Sequence, residues 1–307
     1  MDKKHNFQKT FGLMSEEPLS RYTSFRVGGP ADLLALPSNL KTLISLLEAA
    51  RREKIPVTII GGGTNTLVSD KGIRGLVIVL TSLKSQPSII APPQIDTPPD
   101  KKTIHADGGE RLSTVCQFAM DQELSGLEFA AGIPGTLGGA IMMNAGTSAW
   151  DISQVVTAVE VVDTKNAIYQ TIQRKDLSFS YRKLSLSDKI IVGAHLTLTK
   201  GDPDMIKHTF AQTLKNKKDT QPISQASAGC FFKNPSPDMP AGKLIEDAGL
   251  KGVQINGAKI SDLHANFIIN TDNARCEDIL ALKRRIQKTV FEKYQINLET
   301  EVKVTGE

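Results

Sequence analysis

Cysteine is scarce in this chain: three residues, Cys116, Cys230 and Cys276, lie far apart and are odd in number. No disulfide framework and no metal-type spacing can be read from them. Tryptophan occurs once, aromatic residues make up 5% of the chain, and Lys and Arg are scattered along it. A formal charge of +4 without a basic stretch or interleaved aromatics is not the footprint of a nucleic-acid binder, though it suits a small anionic ligand. No apolar run approaches the length of a signal-peptide core or a membrane span, and the opening Met1-Asp-Lys-Lys-His-Asn is polar. The expectation is a cytoplasmic chain without membrane insertion. Two phosphate-binding signatures are also missing. G-x-x-x-x-G-K-[ST] occurs nowhere, and G-x-G-x-x-G fails after Gly61-Gly-Gly because position 66 is Thr. No repeat recurs at a solenoid period.

What is present points to a globular chain of two domains. Its 307 residues allow a large core, and 40% apolar with 23% charged residues is ordinary for a soluble fold. The most unusual stretch is Gly126–Gly146, which holds Gly126, Gly132, Gly135, Gly138, Gly139 and Gly146 among apolar residues. Glycine at that density lets backbone approach backbone or ligand closely. A buried run of this kind offers clustered N–H groups to a pyrophosphate or an edge to a flat ring; a tightly packed core turn is the other reading. A second such place is Val57-Thr-Ile-Ile60, a buried strand that runs into Gly61, Gly62, Gly63, Thr64 and Asn65.

Around these stretches the pattern alternates between short strands and helices. A turn at Gly28-Gly-Pro30 feeds a strand, and a helix follows from about Ser38 to Glu53, capped by Ser38. Asp70–Gly75 is a turn before the strand Leu76–Leu80. Residues 85–102 carry five prolines and read as a surface excursion between strands. Strands are expected at 103–106, 155–163, 167–172 and 190–198, with a helix near 111–122. His105 and His195 fall in strands and read as ordinary hydrogen-bonded histidines. Beyond Gly201-Asp-Pro the composition shifts. Helices at about 205–218, 241–248 and 274–294 surround a β region at 253–269, and Leu298-Glu-Thr-Glu-Val-Lys-Val304 closes the chain as a strand. The architecture is thus α+β, strand-rich to about residue 204 and smaller beyond it, with a ligand expected in the cleft between the halves.

Three residue types stand out chemically. Cys230 lies between Gly229 and Phe231-Phe-Lys-Asn-Pro235. As a nucleophile it needs a thiolate, favoured by Lys233; as a proton donor it needs only a position near the acceptor; a small buried hydrophobe is the third possibility. Arg182, after Tyr181, either clamps a carboxylate or enolate or is a surface charge. Glu299 and Glu301 alternate along the last strand and share a face, which by itself says little.

Taken in order, these pieces resemble the UDP-N-acetylenolpyruvoylglucosamine reductase (UDP-N-acetylmuramate dehydrogenase) family of flavoenzymes. The motifs are Thr23–Asp32, Gly61–Asn65 with Asp70 and Gly75, Gly126–Ala140 through Met143–Gly146, Tyr181-Arg182, Ala228–Pro235 and Leu298–Val302. Six motifs in sequence, spread from about residue 18 to residue 306, make a specific match. The resemblance implies a vanillyl-alcohol-oxidase-type (PCMH) FAD-binding fold over residues 1–204, in two α+β subdomains at about 1–56 and 57–204. It implies a smaller substrate-binding domain at 205–297 and a terminal strand, 298–307, that returns to the cleft. FAD would be held non-covalently by Gly61, Gly62, Gly63, Thr64 and Asn65, and by Gly132, Ile133, Pro134, Gly135, Thr136, Gly138 and Gly139. NADPH would be the co-substrate and a UDP-sugar enolpyruvyl ether the substrate. Arg182 and Glu301 would polarise the enolate, Cys230 would donate the proton, and Tyr181, Lys233, Asn234 and His264 would contact the substrate.

At position 230 the family more commonly has serine; Thr64 and Leu184 are milder departures. The region before Cys230 lacks tyrosine, as in the shorter form of the family without a tyrosine loop. No metal is implied, and a monomer or weak oligomer is expected. Two alternatives remain at this level: another flavin-dependent oxidoreductase of the same fold, for which no attachment His or Cys lies among the glycine motifs, and a non-catalytic flavin or UDP-sugar binding module. Which of Lys215, Lys217 and Lys218 meets the phosphates stays open.

Overall fold

The computed structural model describes residues 3–91, 98–147 and 149–307, with side chains from Phe7 onward. In chain order come α1 (Lys3–Phe11), β1 (Met14–Pro18), β2 (Pro30–Ala35), α2 (Leu40–Arg52), β3 (Val57–Ile60), β4 (Thr66–Val68), β5 (Ile73–Val79) and β6 (Ser88–Ile90). Next are β7 (Lys101–Asp107), α3 (Leu112–Asp121), β8 (Leu124–Ser125), α4 (Leu137–Met142), β9 (Val156–Asp163), β10 (Tyr169–Gln173), β11 (Phe179–Ser180), β12 (Lys183–Leu184) and β13 (Lys189–Lys200). The chain ends with α5 (Pro203–Thr220), α6 (Ala241–Asp247), β14 (Gln254–Ile255), β15 (Ala258–Ile260), β16 (Ile268–Asn270), α7 (Cys276–Tyr294) and β17 (Lys303–Thr305). These form two compact units, each assembled from separate segments. The first takes Met1–Leu13, Ala35–Gly62 and Ile78–Asn216; the second takes Met14–Leu34, Gly63–Val77 and Lys217–Glu307.

The first unit is built on an antiparallel sheet of order β10-β9-β13-β7-β6, with β8 paired to β13. Alternation along the strands sorts its side chains between the two faces. Ile104, Val159, Val161, Ala194, Leu196 and Leu198 pack with Leu112, Val115, Cys116 and Ala119 of α3 and with Leu137 and Ile141 of α4 in one buried cluster. Thr103, His105, His195 and Thr197 lie on the opposite face, with the Thr103 and Thr197 hydroxyls 2.9 Å apart. The proline-rich stretch contributes to this sheet: β6 pairs antiparallel with β7, Ser88 opposite His105. It is therefore a short edge strand as well as an excursion, because prolines tolerated only at an edge confine it to three residues. Residues 92–97 of that stretch lie outside the described residues. In α2 the cap is Asn39, not Ser38: its side-chain oxygen accepts the Thr42 N–H at 2.9 Å. Both residue types suit the cap, and one residue of phase decides between them.

The second unit joins ends distant in sequence. β17 runs parallel to β4, with Val304 opposite Leu67, and β1 pairs antiparallel with β2. β14, β15 and β16 form a small antiparallel sheet. Ile279, Leu282, Ile286 and Val290 make the buried stripe of α7, at the spacing that predicts it. They share a core with Phe25, Val27, Leu67, Phe231, Phe232, Ile245, Ile260 and Ile268. The start of α7 is fixed from far away. The Asp70 carboxylate accepts the N–H groups of Cys276 at 2.8 Å and Glu277 at 3.1 Å, so the motif aspartate supplies the negative charge that a helix N-terminus favours.

Candidate active site

In the first unit the turn after β3 meets the turn before α4 backbone to backbone. A Cβ added at Gly62 would lie 2.9 Å from the Gly135 Cα, closer than real side chains pack, so glycine is needed at this crossing. Thr136 caps α4 through its hydroxyl, which accepts the Gly139 N–H at 3.4 Å. Its Oγ1 also stands between Gly61 and Gly139. A Cβ at Gly61 would meet only that oxygen, at 3.0 Å, and the Gly139 Cα, at 4.0 Å; one at Gly139 would meet only the oxygen, at 3.3 Å. Beyond these atoms the space beside the two glycines is open. Several donors of the long glycine run are already engaged: Ile133 with the Ala130 carbonyl, Leu137 with that of Glu110, and Gly138 with that of Gly108. The amide cluster expected there for a pyrophosphate is therefore partly committed to holding the turn itself.

Tyr181 and Arg182 form the two-residue turn between β11 and β12, where Ser180 pairs with Lys183. Arg182 has φ +55, a left-handed backbone for a residue with a long side chain, and such strain gathers at functional turns. Its guanidinium lies 5.2 Å from the centroid of the Tyr181 ring, and Tyr181 is exposed. Asn144 anchors this turn, a role invisible in the sequence. Buried at 3% exposure, it donates from Nδ2 to the Ser180 carbonyl at 3.1 Å and to the Asp151 carboxylate at 3.1 Å, while its Oδ1 accepts the Ser153 N–H. Its own φ is +42, which asparagine tolerates better than most residues.

In the second unit the segment after Gly229, itself at φ +76, passes between two others. On one side Asn266 clamps it: Phe231 N–H donates to the Asn266 carbonyl at 2.7 Å, and Phe232 N–H to its Oδ1 at 2.9 Å. Asn266 Nδ2 returns a bond to the Phe232 carbonyl at 2.8 Å. On the other side Glu301 N–H donates to the Phe231 carbonyl at 2.9 Å and Lys233 N–H to that of Glu299, also at 2.9 Å, with Phe232 bridged to Thr300. Asn65 Nδ2 donates to the Glu301 carbonyl at 3.2 Å. Buried Phe231 and Phe232 anchor the strip, while Cys230 at its start is half-buried. The structure thus brings Asn65, Cys230, Lys233 and Glu301 into one backbone neighbourhood of the second unit, and it holds Tyr181 and Arg182 in the first.

The remaining expected residues have visible local partners. The Asn234 side-chain oxygen accepts the Ala241 N–H at the start of α6 at 3.0 Å. Lys233 Nζ reaches the exposed Glu299 carboxylate at 3.4 Å. His264 Nδ1 accepts the Asn266 N–H at 3.2 Å, which leaves the ring proton on Nε2, and its ring stands edge-on to Phe267. Burial holds its pKa below the usual histidine value, so it is neutral near pH 7. The sequence next to it, residues 261–263, lines a groove of about 690 Å³ together with residues 221–225 and Lys218. Among the three lysines left open, Lys218 is the one that lines it.

Residues 31–171 match the family described as FAD binding domain. This defines the class: a flavin-binding protein of α+β fold. Residues 221–305 match the family described as UDP-N-acetylenolpyruvoylglucosamine reductase, C-terminal domain. A relative bearing that reductase name, from Caldanaerobacter subterraneus subsp. tengcongensis, is 45% identical over 100% of this chain and 98% of its own length. Another, from Syntrophus aciditrophicus, is 40% identical over 96% and 92%. The crystal structure of the reductase from Thermus caldophilus superposes with a TM-score of 0.79 at 33% identity, covering 96% of this chain and 100% of that one. The chain belongs to the UDP-N-acetylenolpyruvoylglucosamine reductase family.

Proposed function

We propose that this protein reduces UDP-N-acetylenolpyruvoylglucosamine to UDP-N-acetylmuramate, with FAD as cofactor and NADPH as reductant, for peptidoglycan precursor synthesis in the cytoplasm. One observation carries the reading: a single chain holds both the FAD-binding match and the reductase-specific C-terminal match, in a relationship that spans its whole length. FAD, when bound, supplies a hydride acceptor for NADPH and a hydride donor for the vinyl CH₂ carbon of the substrate. The glycines at 61–63 and 135–139, with Ile133, Pro134 and Thr136, would hold its ring and its approach, and the 61–65 turn would meet the diphosphate, because Leu137 and Gly138 already spend their amides.

Residues of this chain do the rest. Hydride addition to the vinyl carbon pushes charge toward the substrate carboxylate. Arg182 stabilises that charge and Glu301 polarises the enolate, so both act where charge develops. The Cys230 thiol gives its proton to the carbon adjacent to the new CH₃, and solvent returns a proton to the thiolate. Within the substrate two C–H bonds form and the C=C π bond is lost; the Cys230 S–H bond breaks to deliver the proton and is restored from solvent. A thiol is a stronger acid than the alcohol more usual at this position, so it is competent as a proton donor. Tyr181, Lys233, Asn234 and His264 contribute to substrate placement, with 205–297 as the substrate-binding region.

The test is a visible spectrum of the purified protein under anaerobic conditions. A flavin band that bleaches with NADPH and returns on addition of the enolpyruvyl substrate supports the proposal; a band that bleaches and never returns shifts the protein to another flavoenzyme activity. Cys230→Ser should keep turnover. Cys230→Ala should slow the second half-reaction by on the order of 10²–10⁴-fold while reduction by NADPH survives. Equal turnover in Cys230→Ala and the parent removes the proton-donor role.

A further inference from the structure

The central strands of the first unit carry a group of side chains that the reductase reaction does not use. His195 on β13 sits directly opposite His105 on β7, and β9 lies on the other side of β13 with Glu160 opposite Gly193. Residues 193 and 195 point to the same face of β13, so Glu160 leans toward both rings. Its Oε1 is 3.1 Å from His195 Nε2 and 3.3 Å from His105 Nε2. The two rings stand edge to face, centroids 5.6 Å apart, and all three ligand-capable atoms lie within 4.8 Å of one another.

The backbone is shaped for this arrangement. A Cβ at Gly193 would fall 2.5 Å from Glu160 Oε2 and 3.3 Å from His105 Nε2, so any other residue there would displace the carboxylate. The pairing of β13 with β9 shifts register between Ile191 and Gly193, which re-aims side chains at that point. The site also remains accessible: the side chains of His105, Glu160 and His195 are 25%, 18% and 19% exposed.

We propose that His105, Glu160 and His195 form a three-ligand site for a divalent transition-metal ion of the zinc class. Two imidazoles and one carboxylate match the preferences of Zn²⁺ and Co²⁺, and not those of Mg²⁺ or Ca²⁺, which take oxygen ligands. In a tetrahedral site with metal–ligand distances near 2.0–2.2 Å, ligand atoms stand roughly 3.3–3.5 Å apart. The observed 3.1 and 3.3 Å carboxylate–imidazole separations are near that spacing, and the two imidazoles, within 4.8 Å of each other, would close around an ion once each Nε2 has lost its proton. A water would be the fourth ligand, and the Tyr169 hydroxyl of β10, which hydrogen-bonds Glu160, helps orient the carboxylate. Because the three ligands come from three adjacent strands, the ion would clamp the middle of the sheet. This site shares no residue with those assigned to the reductase reaction.

The experiment uses the full chain with its flavin, treated with a chelator and then freed of it. Zn²⁺ is added while the melting temperature is followed, and Co²⁺ is added separately while its ligand-field bands are read to the red of the flavin absorption. The expected result is one ion per chain, a melting temperature raised by several degrees, and tetrahedral Co²⁺ bands. His105→Gln and His195→Gln keep an amide N–H to face Glu160 but lose the imidazole ligand. Each should melt near the metal-free parent and bind Zn²⁺ at least tenfold more weakly. A parent protein that takes up neither ion at tens of micromolar overturns the proposal. So does uptake that is equal in the parent and both variants, since the ion would then be held elsewhere.

Discussion

Asn266 is where stability and chemistry meet, and Asn266→Ala should damage both. The residue is 2% exposed, and its amide makes both side-chain bonds to the backbone of Phe232, itself 1% exposed. Truncation leaves the Phe232 N–H and C=O without those partners in a place water does not reach. An unmet buried group costs about 1–3 kcal/mol, so the pair comes to roughly 2–6 kcal/mol, and partial relaxation favours a value near 3 kcal/mol. Against a typical total of 5–15 kcal/mol this is a large loss, with a melting temperature lowered by roughly 4–6 °C at this chain size. The bond from Phe231 N–H to the Asn266 carbonyl survives the change. The segment therefore loosens without detaching, and Cys230 loses its fixed approach. Urea unfolding followed by circular dichroism measures the first effect. Rapid mixing of the two half-reactions measures the second: reduction by NADPH should be unchanged, while reoxidation by the enolpyruvyl substrate slows at least tenfold. Gln212→Ala, on the exposed face of α5, is the control and should stay within about 0.5 kcal/mol of the parent. If Asn266→Ala behaves like that control in both assays, the clamp does not hold the segment.

Two glycine substitutions separate packing from ligand contact. Gly62→Ala drives a Cβ into the Gly135 backbone and should lower both stability and flavin retention. Gly139→Ala meets only the Thr136 hydroxyl within the protein and favours the helix, so the fold should survive while bound flavin falls at least tenfold; retained flavin there would show that the ring lies elsewhere. Of the three thiols, Cys276 is pushed up to about 12 by burial and Cys116 is buried, so an aromatic disulfide reagent should titrate one thiol, Cys230, in the native protein and three after unfolding. Two fast-reacting native thiols would contradict this. His264 has a folded pKa below its unfolded value near 6.5, so below that pH the unfolded chain binds the extra proton first. Its contribution is intact above about pH 6.5 and is lost as pH falls through the folded pKa. His264→Gln should therefore show a smaller loss of urea stability than the parent between about pH 7.5 and 5.5.

Local chemistry was readable from the chain. The alternation in β7, β9 and β13, the 3–4 spacing in α7 and the strand running into Gly61–Gly63 each reveal an element without reference to any other. Some errors are of phase, such as the cap on Asn39 one residue beyond Ser38; another is of extent, since the closing strand expected from Leu298 starts only at Lys303 and leaves Glu299 and Glu301 on the segment before it. What was not legible depends on pairs distant in sequence. Asp70 stands in a recognisable motif, yet nothing near it says that its carboxylate closes the start of α7, 206 positions on. Asn144 and Asn266 look like other asparagines until the strands they bind are in place. His105 and His195 each read correctly as hydrogen-bonded, but the shared partner Glu160 is set by strand register and by a bulge that the alternation pattern cannot reveal.

The second unit is discontinuous, and this has a consequence for synthesis. Phe25, Val27 and Leu67 belong to a core whose other members lie at Ala228 and beyond, and β4 waits for β17. During translation these early residues leave the ribosome with no final partners while Ile78–Asn216 is still being made. At about 5–20 residues per second that interval is roughly 7–28 s. The intervening unit has its own sheet and core and is able to order first. The nascent chain thus carries two apolar segments without their partners while the other unit is completed, and a chaperone that holds them during that interval would protect the chain from aggregation.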